Sequence, residues 1–178
     1  IEQAANLLFF MAAALAEEAS GKIKARLEID RLEVIEKALR ESKERIQHLY
    51  EEAPLPYQSL DANGCFIDVN KAWLDMMGYT RDQVIGRWMG DFLAPHEVDA
   101  YKQRFPRFIE TGEVHVDLEI VQHGGSTSIV HINGRIRYDE RGQFKQTHCI
   151  LRDITESKQA EEALRKSEEK YRILIESL

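Results

Sequence analysis

The sequence predicts an α+β domain: an antiparallel sheet with short helices on one face, flanked by a coiled-coil helix at each end. Three observations carry this. Residues 114–120 and 130–137 alternate apolar and polar, the period of strands with one buried face. Residues 57–111 instead hold short helical stretches bounded by capping residues. The two ends repeat each other: residues 38–53 (ALRESKERIQHLYEEA) and 163–178 (ALRKSEEKYRILIESL) share Ala, Leu, Arg, Ser, Glu, Leu and Glu in register, 125 residues apart. Self-similarity at a fixed spacing marks a repeated structural unit. Here the unit is a charged helix on either side of one domain, as in a tandem array.

Residues 1–53 form the first segment. They contain no Pro and one Gly, Gly21, where a break or kink is expected. Residues 4–16 (AANLLFFMAAALA) are apolar but shorter than the roughly 20 residues a membrane helix needs. They read as a buried or partner-facing helix, or as the tail of a membrane segment. From Leu32 a heptad is legible, with Leu32, Leu39, Ile46 and Ala53 at one position and Ile35, Ser42 and Leu49 at the other. Leu32, Ile35, Leu39, Ile46 and Leu49 are thus the expected seam of a parallel two-stranded coiled coil, a homodimer. Residues 53–56 (APLP) end the helix, because Pro cannot continue it.

Residues 54–155 form the domain. Asn63-Gly64 reads as a turn into a strand at 66–69. Asn70 is a good N-cap for a helix over 71–77 that stops at Gly78. Thr80 to Gln83 has the form of a capping box, and Gly86 closes that helix. A third helix over about 97–111 puts Val98, Tyr101, Phe105, Phe108 and Ile109 on one stripe, and Pro106 predicts a kink or break within it. Three strands follow, parted by Gly124-Gly125 and by residues 139–142 (DERG). Residues 156–178 are helical again, with Ala160, Leu164, Ser167, Tyr171, Leu174 and Leu178 in heptad spacing.

The order of these motifs resembles a PAS domain over residues 57–155. The matching residues are Asn63-Gly64, Asn70, Gly78-Tyr79, Val84-Ile85-Gly86, the hairpin at Gly124-Gly125 (Asp-Gly is usual there), and Arg152-Asp153-Ile154-Thr155 leaving the sheet. The resemblance implies a five-stranded antiparallel sheet with short helices on one face. It implies a module of bacterial sensory proteins, of the sensor histidine kinase or diguanylate cyclase type, with a neighbouring PAS or output domain in the full-length chain. Residues 168–178 look like the helix leading into such a neighbour.

Fold does not fix function, and two functions stay open: a dimeric relay, or a sensor with a small ligand in an apolar pocket. The lining expected for that pocket is Trp88, Met89, Tyr101, Phe105, Phe108, Ile132, Gly134, Cys149 and Leu151, with Gly134 leaving room. Val116, Leu118, Ile120 and Val130 share the inward register. Output is expected at Arg152, Asp153 and Thr155, where Asp153 or Thr155 can accept from the free N–H groups of the last helix.

Other chemistry is disfavoured. Flavin light sensors of the family carry a reactive Cys in an Asn-Cys-Arg-Phe-Leu-Gln-like helix, whereas residues 86–93 read GRWMGDFL. Haem members place an axial His on the long helix, which here has none; His96 precedes it. No haem, flavin or metal is therefore expected. His115, His131 and His148 fall on the outward register without tight ligand spacing, and Asp117 and Glu119 read as a polar sheet face. The sequence carries no phosphate loop or nucleophile elbow, so an enzyme is not expected. A net charge of −7 argues against a nucleic-acid partner. Two cysteines, Cys65 and Cys149, are too few for a disulfide framework and fit a reducing, cytoplasmic setting. The chain begins at Ile1, not Met, which reads as a fragment of a longer protein, attached to a membrane only through regions outside it.

Overall fold

The structure, a computed structural model, describes residues 2–176. It divides into two units, residues 1–49 and 50–178. Helix α1 (Glu2–Glu51) makes up the first unit and contributes its last turn to the second. It runs through Gly21 without the expected break: a Gly costs about 1 kcal/mol against Ala, too little to stop a helix with good formers on both sides. Most side chains of the apolar run 4–16 lie outside the described residues, as do Leu178 and the Leu174 side chain. Leu32, Ile35, Leu39, Ile46 and Leu49 are all more than half exposed. Among the described residues, no helix is long and apolar enough to cross a membrane.

The second unit is built on a five-stranded antiparallel sheet, in the order β2-β1-β5-β4-β3. The strands are β1 (Tyr57–Leu60), β2 (Phe66–Val69), β3 (Glu113–Val121), β4 (Thr127–Tyr138) and β5 (Phe144–Asp153). Between β2 and β3 lie α2 (Lys71–Met77), α3 (Arg81–Val84), a 3-10 turn (Met89–Phe92) and α4 (Val98–Thr111). Helix α5 (Thr155–Glu176) leaves β5 after one residue.

Local chemistry sets these boundaries. Asn70 caps α2 by accepting from the Trp73 N–H at 3.1 Å, and Gly78 ends it with φ +75°, a conformation that favours glycine. Gln83 accepts from the Thr80 N–H at 2.9 Å, one arm of the capping box. Helix α4 continues through Pro106 to Thr111. Of the expected kink or break, a break does not form. Proline removes one N–H donor, but Tyr101, Phe105 and Phe108 are buried along one side of the helix and hold it to the sheet. The core pairs that aromatic row with Phe66, Trp73 and Phe92, whose rings meet edge to face at 5.1–6.1 Å.

Strand β1 carries no alternation in sequence, yet Gln58, Ser59 and Leu60 are all buried. Hydrogen bonds engage both members of the polar pair. The Gln58 Oε1 accepts from the Trp73 indole N–H at 2.8 Å, and the Ser59 hydroxyl donates to the Thr147 carbonyl at 2.7 Å.

Candidate functional site

Two places combine geometry with unusual chemistry: a cavity under α4, and the junction of β5 with α5. The cavity lies between α4 and the inner sheet face and encloses about 30 Å³. That is room for about one water molecule. Met89, Tyr101, Phe105, Phe108, Ile132 and Cys149 line it, together with Val116 and Leu118. Gln58, Leu60, Arg104 and Val114 complete the wall and were not anticipated.

Trp88, Gly134 and Leu151 are not in the lining. The half-buried Trp88 indole lies over Gly90, where a Cβ would come within 2.1 Å of it, and meets Tyr101 at 5.8 Å. Leu151 is buried in the core. Gly134 does not leave room. A Cβ there would lie 2.7 Å from the Cys149 Sγ, 2.9 Å from Val114 and 3.0 Å from Phe108, so its neighbours fill the gap. Burial pushes the Cys149 thiol up to about 11, which makes it a small hydrophobe at neutral pH, not a nucleophile.

The polar groups of the cavity wall differ from the rest. Tyr101 is 6% exposed, and its hydroxyl has no hydrogen-bond partner among the described residues. The same holds for the buried Nη1 of Arg104. Burial raises the Tyr101 hydroxyl well above the usual phenol range, so it stays a donor.

At the junction, Asp153 Oδ1 accepts from the Thr155 N–H at 2.8 Å, capping the first turn of α5. Thr155 does not cap. Its hydroxyl accepts from the Ile129 N–H of β4 at 2.9 Å, while the Ile154 N–H donates to the Ile129 carbonyl at 2.8 Å. The start of α5 is thus stitched to β4 on both sides of one residue. Arg152 is exposed, opposite His131 in the β4–β5 register. Asp117 on β3 adds a second tie, bonding the His131 imidazole at 2.6 Å and the Lys158 ammonium at 2.9 Å. The His131 and Lys158 hydrogen bonds hold its carboxyl below the usual range. The sequence signal for this clasp was a Lys one turn into the last helix, facing an outward carboxylate.

The other outward histidines also have neighbours. His115 bonds Asn133, and His148 bonds the Tyr57 hydroxyl. Among the described residues no three metal-ligating side chains cluster. Burial, aided by the Arg137 charge, lowers the His148 pKa below its ordinary 6.5. Such a base binds protons more readily when unfolded. Its contribution to stability is therefore complete above 6.5 and declines as pH falls through the window below it. The urea midpoint of His148→Gln is expected to fall less between pH 7.5 and 5.5 than that of the parent chain. Equal slopes would show that His148 is not a source of acid sensitivity.

A family model described as a PAS domain matches residues 56–156. The chain belongs to the PAS domain family. It is 25% identical to the PAS domain of an HTR-like protein from Haloarcula marismortui, with a TM-score of 0.61 over 68% of this chain and 99% of that one. A PAS domain from a two-component sensor histidine kinase shares the fold at 16% identity and a TM-score of 0.55, over 64% of this chain and 97% of that one. Over 132 residues the chain is 30% identical to the sensor histidine kinase TmoS of Ectopseudomonas mendocina, covering 71% of this chain and 13% of the relative. It is 28% identical over 134 residues to the uncharacterized protein y4lL of Sinorhizobium fredii, covering 75% of this chain and 16% of that one. The chain thus spans under a fifth of these curated relatives. It is a sensory domain of the type found in signal-transduction proteins, and a PAS domain is not itself catalytic.

Proposed function

We propose that this chain is a relay unit of a larger cytoplasmic signalling protein, of the sensor histidine kinase type. In this reading it forms a parallel homodimer through its flanking helices and passes a conformational change to a neighbouring PAS or output domain. The observation that carries the reading is the direct run of β5 into α5, with Ile129 of β4 bonded to both Ile154 and Thr155. A shift of the sheet reaches the first turn of α5 through those bonds. The 22 residues of α5 carry it about 33 Å. The dimer is supported by five apolar side chains at alternating spacings of three and four residues or their sums, all exposed in one copy. The relay needs no haem, flavin, metal, nucleic acid or membrane span.

Sedimentation of the purified chain is expected to give twice 20.6 kDa, and the pair Leu39→Asp with Ile46→Asp to give 20.6 kDa. A monomeric parent chain at tens of micromolar, or a dimer indifferent to both charges, would sink the reading. A second reading, a small-molecule sensor, is favoured by one observation: the Tyr101 hydroxyl is buried and, among the described residues, unpartnered at a largely apolar cavity.

A further inference from the structure

We propose that the cavity under α4 takes a small carboxylate with an apolar body, held by Arg104 and Tyr101. This rests on the sensor reading and specifies its ligand. The cavity wall is aliphatic and aromatic, apart from Gln58, Tyr101 and Arg104. All three present donors. The Tyr101 hydroxyl and the Arg104 Nη1 are buried without a partner among the described residues. The Gln58 carbonyl is already taken by Trp73, and among the described residues its amide nitrogen reaches only the Met89 sulfur, at 3.6 Å. A thioether is a weak acceptor.

A wall that has donors to spare and, among the described residues, no carboxylate to meet them is complemented by an acceptor-rich group. The fixed positive charge of Arg104 makes that group an anion. Its planar fork matches the two oxygens of a carboxylate. Packing alone would put Phe at 101 and Leu or Met at 104, since an unpaired buried donor is expensive to keep. The hydroxyl packs against Gly64, where a Cβ would lie 2.9 Å from the Tyr101 Oη and 3.4 Å from the Trp88 indole nitrogen, so a larger residue at 64 would displace it.

The body of the ligand follows from the remaining wall, which suits a phenyl ring or a short alkyl chain. At about 30 Å³ the cavity is smaller than either. Binding must therefore widen it. Arg104 is only half-buried, so it can swing while staying within reach of a carboxylate.

The test is titration calorimetry on the full 178-residue chain with benzoate and hexanoate, and with the neutral isosteres benzamide and hexanamide. At least one acid is expected to bind about tenfold or more tightly than its amide, the size of a charge-assisted hydrogen bond. Arg104→Leu should remove that preference. Tyr101→Phe should weaken acid binding without lowering the melting temperature of the ligand-free chain. Equal binding of acid and amide, or an Arg104→Leu variant that keeps the preference, overturns the carboxylate anchor and leaves the sensor reading standing. A marked fall in melting temperature for Tyr101→Phe assigns the hydroxyl to the fold and also overturns the anchor. Binding of none of the four probes sinks the sensor reading together with the anchor.

Discussion

Asn70→Ala is expected to cost the domain about 4 kcal/mol, because it removes four hydrogen bonds at once, each worth about 1 kcal/mol. Asn70 is fully buried. Its side-chain oxygen accepts from the Tyr57 N–H at 2.9 Å and from the Trp73 N–H at 3.1 Å. Its amide donates to the carbonyls of Leu55 at 3.0 Å and Tyr50 at 3.3 Å. One side chain therefore caps α2 and ties down the segment that leads into β1. Losing a cap costs about 1 kcal/mol, and each of the other three hydrogen bonds, made to residues that are half-buried or exposed, adds about 1. Against a typical stability of about 5–15 kcal/mol, that leaves a marginal fold. Urea unfolding of the chain measures it. Asn70→Asp keeps both acceptor bonds and suits the N-terminal dipole of α2, so it should recover about half of the loss. A cost below about 1 kcal/mol for the Ala variant would mean that the segment is held elsewhere, for instance by the Arg81 bridge to Glu51 at 2.8 Å and Asp68 at 2.6 Å.

The value of Asn70 as a cap was legible in sequence; its hold on the incoming chain was not. A cap is a local pattern, readable from an Asn ahead of a helical stretch. The bonds to Tyr50 and Leu55 join residues 15–20 positions apart and have no sequence signature. The same division runs through the domain. Strands β3 and β4 were legible because one face is buried and the other solvated, so polarity alternates, and β5 because it follows the turn at residues 139–142. Strand β1 was not, because Gln58 and Ser59 are buried by means of hydrogen bonds to Trp73 and Thr147, and polarity then misreports burial. In the cavity, the aromatic row of α4 was legible at helical spacing. Arg104 sits three residues after Tyr101 and four before Phe108, within the same stripe, where a charge hides its burial. A charged residue on a buried stripe was the available signal. Neither Gly21 nor Pro106 ends its helix, since tertiary packing and strong helix formers outweigh a single weak position.

Gly134→Val is expected to cost about 3 kcal/mol, and Gly134→Ala about 1, as overpacking and not as a loss of backbone freedom. In the sheet Gly134 faces Val114 on one side and Cys149 on the other. Both side chains lean into the space that a Cβ would occupy, and Phe108 closes it from α4. The two strand neighbours are fixed by continuous ladders, so Phe108 is the group that can give. The cavity it lines, of about 30 Å³, can absorb roughly one displaced methyl group but not the branched side chain of Val. The substitutions should therefore couple. Phe108→Leu destabilises on its own by leaving a gap, yet combined with Gly134→Ala it should recover about 1 kcal/mol relative to the sum of the two. A double-mutant cycle by urea unfolding measures this. Simple additivity would place the strain at Cys149 instead, and Cys149→Ala would then be the rescuing partner. If Gly134→Val were neutral, the space beneath α4 would be larger than its packing indicates, and a ligand could enter without moving Arg104.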